Sequence, residues 1–86
     1  MPELSRFFGI VIRMYYDDHE PPHIHVEYSG EKAKIDFQGN VLKGKLSSRT
    51  ALHLVREWID LHLAELEEDW HLAKNSREIR KIEPLR

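Results

Sequence analysis

The sequence contains no cysteine. This absence excludes disulfide bonds and zinc sites built from thiolates, and it is consistent with a reducing compartment. With only 86 residues, the chain is expected to form one domain over residues 1–86. Two domains of half that length would each need disulfide bonds, metal ions or oligomerisation to be stable. So short a domain leaves much of its surface unburied, so a protein partner or a homo-oligomer is an expected source of additional stability.

Long apolar runs are also missing. No segment reaches the roughly 20 apolar residues that a membrane span requires. The N-terminal segment MPELSR lacks the basic start and the apolar stretch of a signal peptide. We therefore expect a soluble, cytoplasmic protein with no membrane partner.

A strong excess of one charge is the third absence, since the net charge is only −2. Residues 1–49 contain equal numbers of basic and acidic residues. Residues 50–74 contain two Lys/Arg and six Asp/Glu, and residues 75–86 contain four Lys/Arg and two Asp/Glu. Nucleic-acid-binding proteins usually carry a basic patch or stripe. The charge total therefore favours a protein partner over nucleic acid.

The first half of the sequence predicts β-structure. Residues 7–16 are rich in β-branched and aromatic residues and predict an inner strand. Residues 23–28 and 32–37 alternate between apolar and polar side chains, and the Ser29-Gly30 dipeptide between them predicts a hairpin. Residues 41–46 predict an edge strand with outward lysines.

These segments together predict an antiparallel β-meander over residues 6–46. Ser47 or Ser48 is a good N-cap, and apolar residues at helical spacing then predict one helix over residues 48–74. A break near residues 62–64 is the alternative, and a short strand is expected at 79–82. The predicted fold class is α+β, with three to five antiparallel strands covered on one face by one long C-terminal helix.

Residues 19–25 read HEPPHIH, which matches the H-E-x-x-H string of zinc peptidases. In those enzymes the motif must be helical, so that both histidines lie on one face. Pro21 and Pro22 remove backbone donors and disfavour a helix in the residues before them. The segment therefore predicts a proline-containing loop followed by a strand, and Glu20 is not expected to act as a general base.

His23 and His25 lie on the same face of the predicted strand, with their Cα atoms about 6.6 Å apart. Two imidazoles at this spacing can bind one divalent transition metal ion such as zinc, and His19 is the expected third ligand. Oxygen donors nearby in sequence are Asp17, Asp18 and Glu20. The alternative is that these rings form hydrogen bonds across the sheet or to the loop at residues 17–18.

The same sheet face has the residue types needed to cleave a phosphodiester without a metal. The candidate catalytic residues are Arg13, Tyr15, His23 and His25, with Lys34 and Lys43 on the same side. A histidine moves a proton and a nearby cation stabilises negative charge. The alternative is an ordinary solvated face with cross-strand pairs such as Glu27 with Lys34.

Several segments resemble a family of small bacterial proteins known as a domain of unknown function. They are SRFFGI at 5–10, PPHIHV at 21–26, EW at 57–58, EL at 65–66, DW at 69–70 and KIEPL at 81–85. The resemblance implies a gene arrangement beside a second small protein, similar to toxin-antitoxin modules, and implies no reaction or cofactor. The first expectation is therefore a partner-binding module. A metal-binding enzyme or sensor and a metal-independent RNase are the alternatives.

Overall fold

The computed structural model describes residues 2–86, which form five strands and two helices. The elements are β1 (Glu3–Phe7), β2 (Ile10–Arg13), β3 (His23–Tyr28), β4 (Glu31–Asp36), β5 (Val41–Gly44), α1 (Arg49–Leu61) and α2 (Leu63–Lys74). The strands form one antiparallel sheet in the order β1-β2-β3-β4-β5. The α+β class and the antiparallel meander are confirmed, with five strands.

The single strand predicted over residues 7–16 is wrong, because this segment contains a hairpin turn. Phe8 and Gly9 both have positive φ, 50° and 80°, as a two-residue type I′ turn requires. The turn separates β1 from β2 and leaves the Phe8 ring 61% exposed. The apolar run concealed the turn, because a bulky aromatic residue rarely occupies a left-handed position.

The single long helix predicted over residues 48–74 is also wrong, and the alternative of a break is confirmed. Ser48 caps α1, its Oγ accepting a hydrogen bond from the Ala51 amide at 3.0 Å. The break lies at His62, where φ is −120° and ψ is 25°. A continuous helix of that length would extend about 40 Å, beyond the longest dimension of the molecule, 34 Å. The break lets both helices pack on the same small sheet.

The strand predicted at residues 79–82 does not form, because residues 77–86 have no regular secondary structure. Ile79, Ile82 and Leu85 are nevertheless buried. The Ile82 amide donates a hydrogen bond to the Leu4 carbonyl at 2.9 Å. The tail therefore contacts β1 through a single backbone bond and is held mainly by its apolar side chains.

One core joins the sheet to the helices. Alternate strand residues point inward, and among the most deeply buried are Ile10, Ile12, Ile24, Val26 and Ile35. Aromatic contacts cross the interface, with ring centroids 5.8 Å apart for Phe7 and Trp58 and 6.3 Å apart for Phe37 and Trp70. The opposite sheet face carries polar side chains. Within residues 2–86, no helix has the length and apolar character that crossing a membrane requires.

Candidate functional site

The loop before β3 follows the prediction made from its two prolines. Residues 14–22 form no helix, and His23–Tyr28 is a strand. His23 and His25 therefore point to the same sheet face. Their ring centroids lie 5.0 Å apart.

Asp18 brings the two histidines into one cluster. Its Oδ2 atom lies 2.9 Å from His23 Nε2 and 2.9 Å from His25 Nε2. One ligand-type atom from each of the three residues lies within 4.8 Å of the others. His19 is exposed, and its contact with the cluster is a backbone N–H that donates to Asp18 Oδ1 at 2.8 Å. The structure thus groups His23 and His25 with Asp18, and metal binding stays a prediction.

His23 is the buried member of the cluster, with only 1% of its surface exposed. Its Nδ1 donates to the Pro21 carbonyl at 2.8 Å, and its Nε2 faces Asp18. The Pro21 carbonyl oxygen can only accept, so Nδ1 is the donor in that bond. The Trp70 ring packs against it at 5.3 Å. The carbonyl and the indole together fix the direction of Nε2.

The ionised form of the Asp18 carboxyl group is strongly favoured at this site. Partial burial alone would raise the pKa of its carboxyl group. Hydrogen bonds from the His25 ring and the His19 amide, together with the charge on His23, outweigh burial and lower the pKa to about 2. Asp18 is therefore an ionised acceptor throughout the neutral range, which is the state that binds a cation.

Helix α2 holds the loop that carries Asp18. Trp70 Nε1 donates to Glu20 Oε2 at 3.0 Å, and Lys74 Nζ donates to the Asp18 carbonyl oxygen at 3.0 Å. Both bonds join residues that are far apart in the sequence. The position of the carboxylate is therefore set by tertiary contacts with α2.

A shallow groove of about 710 Å³ lies on the polar sheet face beside this cluster. The strand register places four of its residues in one row across β2 to β5: Arg13 opposite His25, His25 opposite Lys34, and Lys34 opposite Lys43. Tyr15 lies beside the row, with its ring 4.1 Å from the His25 ring. His25 thus belongs both to the cluster and to the groove.

The groove is cationic. Arg13 forms an ion pair with Glu27 at 2.8 Å, so its charge is partly neutralised. Lys32, Lys34 and Lys43 also line the groove. Within residues 2–86, none of these three lysines has a carboxylate within 4.0 Å.

The predicted catalytic residues therefore separate into two groups. Arg13, Tyr15 and His25 line the groove, whereas His23 lies buried beside it. Sequence reasoning named Asp18 only as one of several oxygen donors. The support from Trp70 had no signal in the sequence, because it comes from a helix distant along the chain.

The comparisons with known proteins give a family and no function. Neither a curated protein nor a solved structure matches this chain. A family model described as a domain of unknown function, DUF4160, matches residues 9–71. This range includes the cluster, the groove and the supporting Trp70, and it covers most of the sequence. The chain therefore belongs to the DUF4160 family of unknown function.

Proposed function

We propose that the protein binds one divalent transition metal ion through Asp18, His23 and His25. The observation that carries the proposal is the convergence of one ring nitrogen from each histidine and one carboxylate oxygen, all within 4.8 Å of one another. Two imidazoles and a carboxylate suit zinc and similar ions. The hydrogen bond from His23 Nδ1 to the Pro21 carbonyl supports this role, because ligating histidines usually donate their second ring N–H in this way.

Three protein ligands leave at least one coordination position for water or a substrate. A metal ion in such a site acts as a Lewis acid and lowers the pKa of bound water. A histidine nitrogen coordinates a metal ion through its lone pair, so metal binding would replace the hydrogen bond between His23 Nε2 and Asp18. Through His25, the ion would lie next to the groove, where an anionic ligand can approach it.

Metal titration of the tag-free protein tests this proposal. After treatment with a chelator, we expect one zinc or manganese ion to bind per chain and to raise the melting temperature. Asp18→Asn and His25→Ala should each abolish stoichiometric binding, whereas His53→Ala, an exposed control on α1, should not. If His19→Ala abolished binding and Asp18→Asn did not, His19 would be the third ligand. Absence of stoichiometric metal in the parent protein would refute the proposal.

A second candidate function is the binding of a protein partner, including a toxin-antitoxin-like partner. It is favoured by β5, an edge strand whose four residues are all exposed. Val41 and Leu42 expose 38% and 42% of their surfaces there, and an open edge can accept a strand from another chain. Co-expression with the small protein encoded by the adjacent gene should give a complex, and Leu42→Thr should weaken that complex. Repeated failure to co-purify would contradict this function.

A third candidate, RNA cleavage without a metal, is favoured by the contact between Asp18 and His25. A carboxylate that accepts from Nε2 orients the ring and leaves Nδ1 free to accept a proton. Cleavage of RNA should then persist in chelator and disappear in His25→Ala. Cleavage that is unchanged in that variant would indicate contamination.

A further inference from the structure

The two lysines that lie directly opposite each other in the row are unfavourable for the isolated sheet. Lys34 lies directly opposite Lys43, and on its other side it lies opposite His25, which is next to Arg13. Like charges in directly opposite positions destabilise a strand pair. Within residues 2–86, no carboxylate within 4.0 Å neutralises either lysine. An arrangement that opposes folding in this way is expected where a ligand is bound.

The dimensions of the row indicate a ligand with more than one negative charge. Four neighbouring strands place its ends about 14 Å apart, which is the rise of roughly four nucleotides in a stacked strand. All four residues of the row line the groove. A single phosphate would neutralise only part of the row.

An aromatic surface adjoins the row at His25. The Tyr15 ring is packed against the His25 ring, 4.1 Å between centroids, and both rings line the groove. Aromatic side chains beside a cationic track are the usual means of binding single-stranded nucleic acid, because each base presents a flat face for stacking. A purely inorganic polyanion would make no use of Tyr15.

We propose that this groove binds the phosphodiester backbone of a short single-stranded nucleic acid, with a base stacked on Tyr15. The negative total charge does not oppose this, because residues 50–74 contain two Lys/Arg against six Asp/Glu and none of these residues lines the groove. Binding by Lys34 and Lys43 requires no metal ion. The proposal is therefore independent of the metal site.

Fluorescence anisotropy with a labelled oligouridine of about eight nucleotides, in low salt with chelator present, tests the proposal. The parent protein should bind, and Lys34→Gln/Lys43→Gln should weaken binding by roughly tenfold or more. The slope of log affinity against log salt should become shallower by about 1.4, because two lysines no longer neutralise a phosphate of the single strand. The control Arg77→Gln/Lys81→Gln makes the same change in total charge on the C-terminal tail and should retain the affinity.

Tyr15→Leu separates nucleic acid from other polyanions. It should weaken oligouridine binding about fivefold or more, while competition by inorganic tripolyphosphate should remain as in the parent protein. Preference for oligouridine over oligothymidine would assign RNA, and equal binding would assign single strands of either kind. Circular dichroism of each variant confirms folding.

Three results would overturn the proposal. The first is no binding of the parent protein at low salt. The second is an equal loss of affinity in the groove variant and the tail control, which would show non-specific attraction. The third is an unchanged affinity in Tyr15→Leu together with equal binding of tripolyphosphate, which would assign a general polyanion site.

Discussion

At the residue scale, Gly44 determines how β5 approaches β4. Its φ is +76°, and a Cβ atom at this position would overlap the Lys32 carbonyl oxygen. Gly30 has a similar φ of +80°, yet a Cβ atom there would meet nothing within 4 Å. Gly30→Ala should therefore destabilise the protein by about 1–2 kcal/mol, the cost of the left-handed conformation alone. Gly44→Ala should cost more, because the backbone must also move.

Urea unfolding of the two glycine variants measures this difference. Gly44→Ala should also reduce the affinity of the groove for its ligand, since Gly44 lies beside Lys43 in the lining. Equal losses of stability in the two variants would show that the close approach to Lys32 is unimportant.

Asp36 closes the turn between β4 and β5. Its Oδ1 accepts from the Gln38 and Asn40 amides at 3.0 and 2.8 Å, and its Oδ2 accepts from Asn40 Nδ2 at 3.1 Å. Asp36→Ala should lower the free energy of unfolding by about 1–3 kcal/mol at neutral pH, because it leaves these donors without their acceptor.

The effect of Asp36 should depend on pH. Burial raises the pKa of its carboxyl group, but hydrogen bonds from Asn40 and the turn amides outweigh burial and hold it below the usual 3.8. The ionised group therefore stabilises the fold above pH 3.8, and this contribution is lost as the pH falls below that value. The difference in unfolding free energy between parent and Asp36→Ala should narrow from about pH 7 to about pH 3. A difference that widened in acid would contradict this assignment.

Single residues also show what the sequence could predict about the site. The placement of His23 and His25 on one face follows from strand alternation alone, and the prolines correctly excluded a helix. That Asp18, and not His19, lies next to the two histidine rings does not follow from the local sequence pattern. It depends on a loop whose path is fixed by hydrogen bonds to α2, and such bonds leave no periodic signal.

At the element scale, α2 supports the candidate metal site through Trp70. Trp70→Phe removes the hydrogen bond to Glu20 and leaves an aromatic ring beside His23. We expect metal affinity to fall by roughly tenfold, as is typical when a residue that supports the ligands is removed. Trp58→Phe is the matched control, because it removes the bond from Trp58 Nε1 to the Glu83 carbonyl, away from the site. Calorimetric titration of both variants should show weaker metal binding only for Trp70→Phe.

The elements themselves were predictable where periodicity extends without interruption. β3, β4 and their turn follow from clean alternation, and residue type narrowed the helix cap to Ser47 or Ser48, of which the structure has Ser48. The break at His62 had no Gly or Pro to mark it. A straight helix would be longer than the molecule, whose longest dimension is 34 Å, and a short window of sequence contains no information about that dimension.

At the scale of the whole molecule, local and total charge make opposite predictions for Lys43. The net charge is −2, so the loss of any lysine increases the excess of negative charge and should slightly destabilise the fold. Lys43, however, lies directly opposite Lys34. Removing it relieves a like-charge pair that acts at much shorter range.

We therefore expect Lys43→Gln to raise the melting temperature at low ionic strength, with a gain that shrinks as salt screens the repulsion. Lys81→Gln changes the total charge equally and should give no gain. The same Lys43→Gln variant should bind oligouridine more weakly, because stability is gained by removing a group retained for binding. Scanning calorimetry at two salt concentrations decides between the two predictions. If Lys43→Gln lowered the melting temperature at low salt, the lysine row would contribute to stability, and its role in ligand binding would lose its main support.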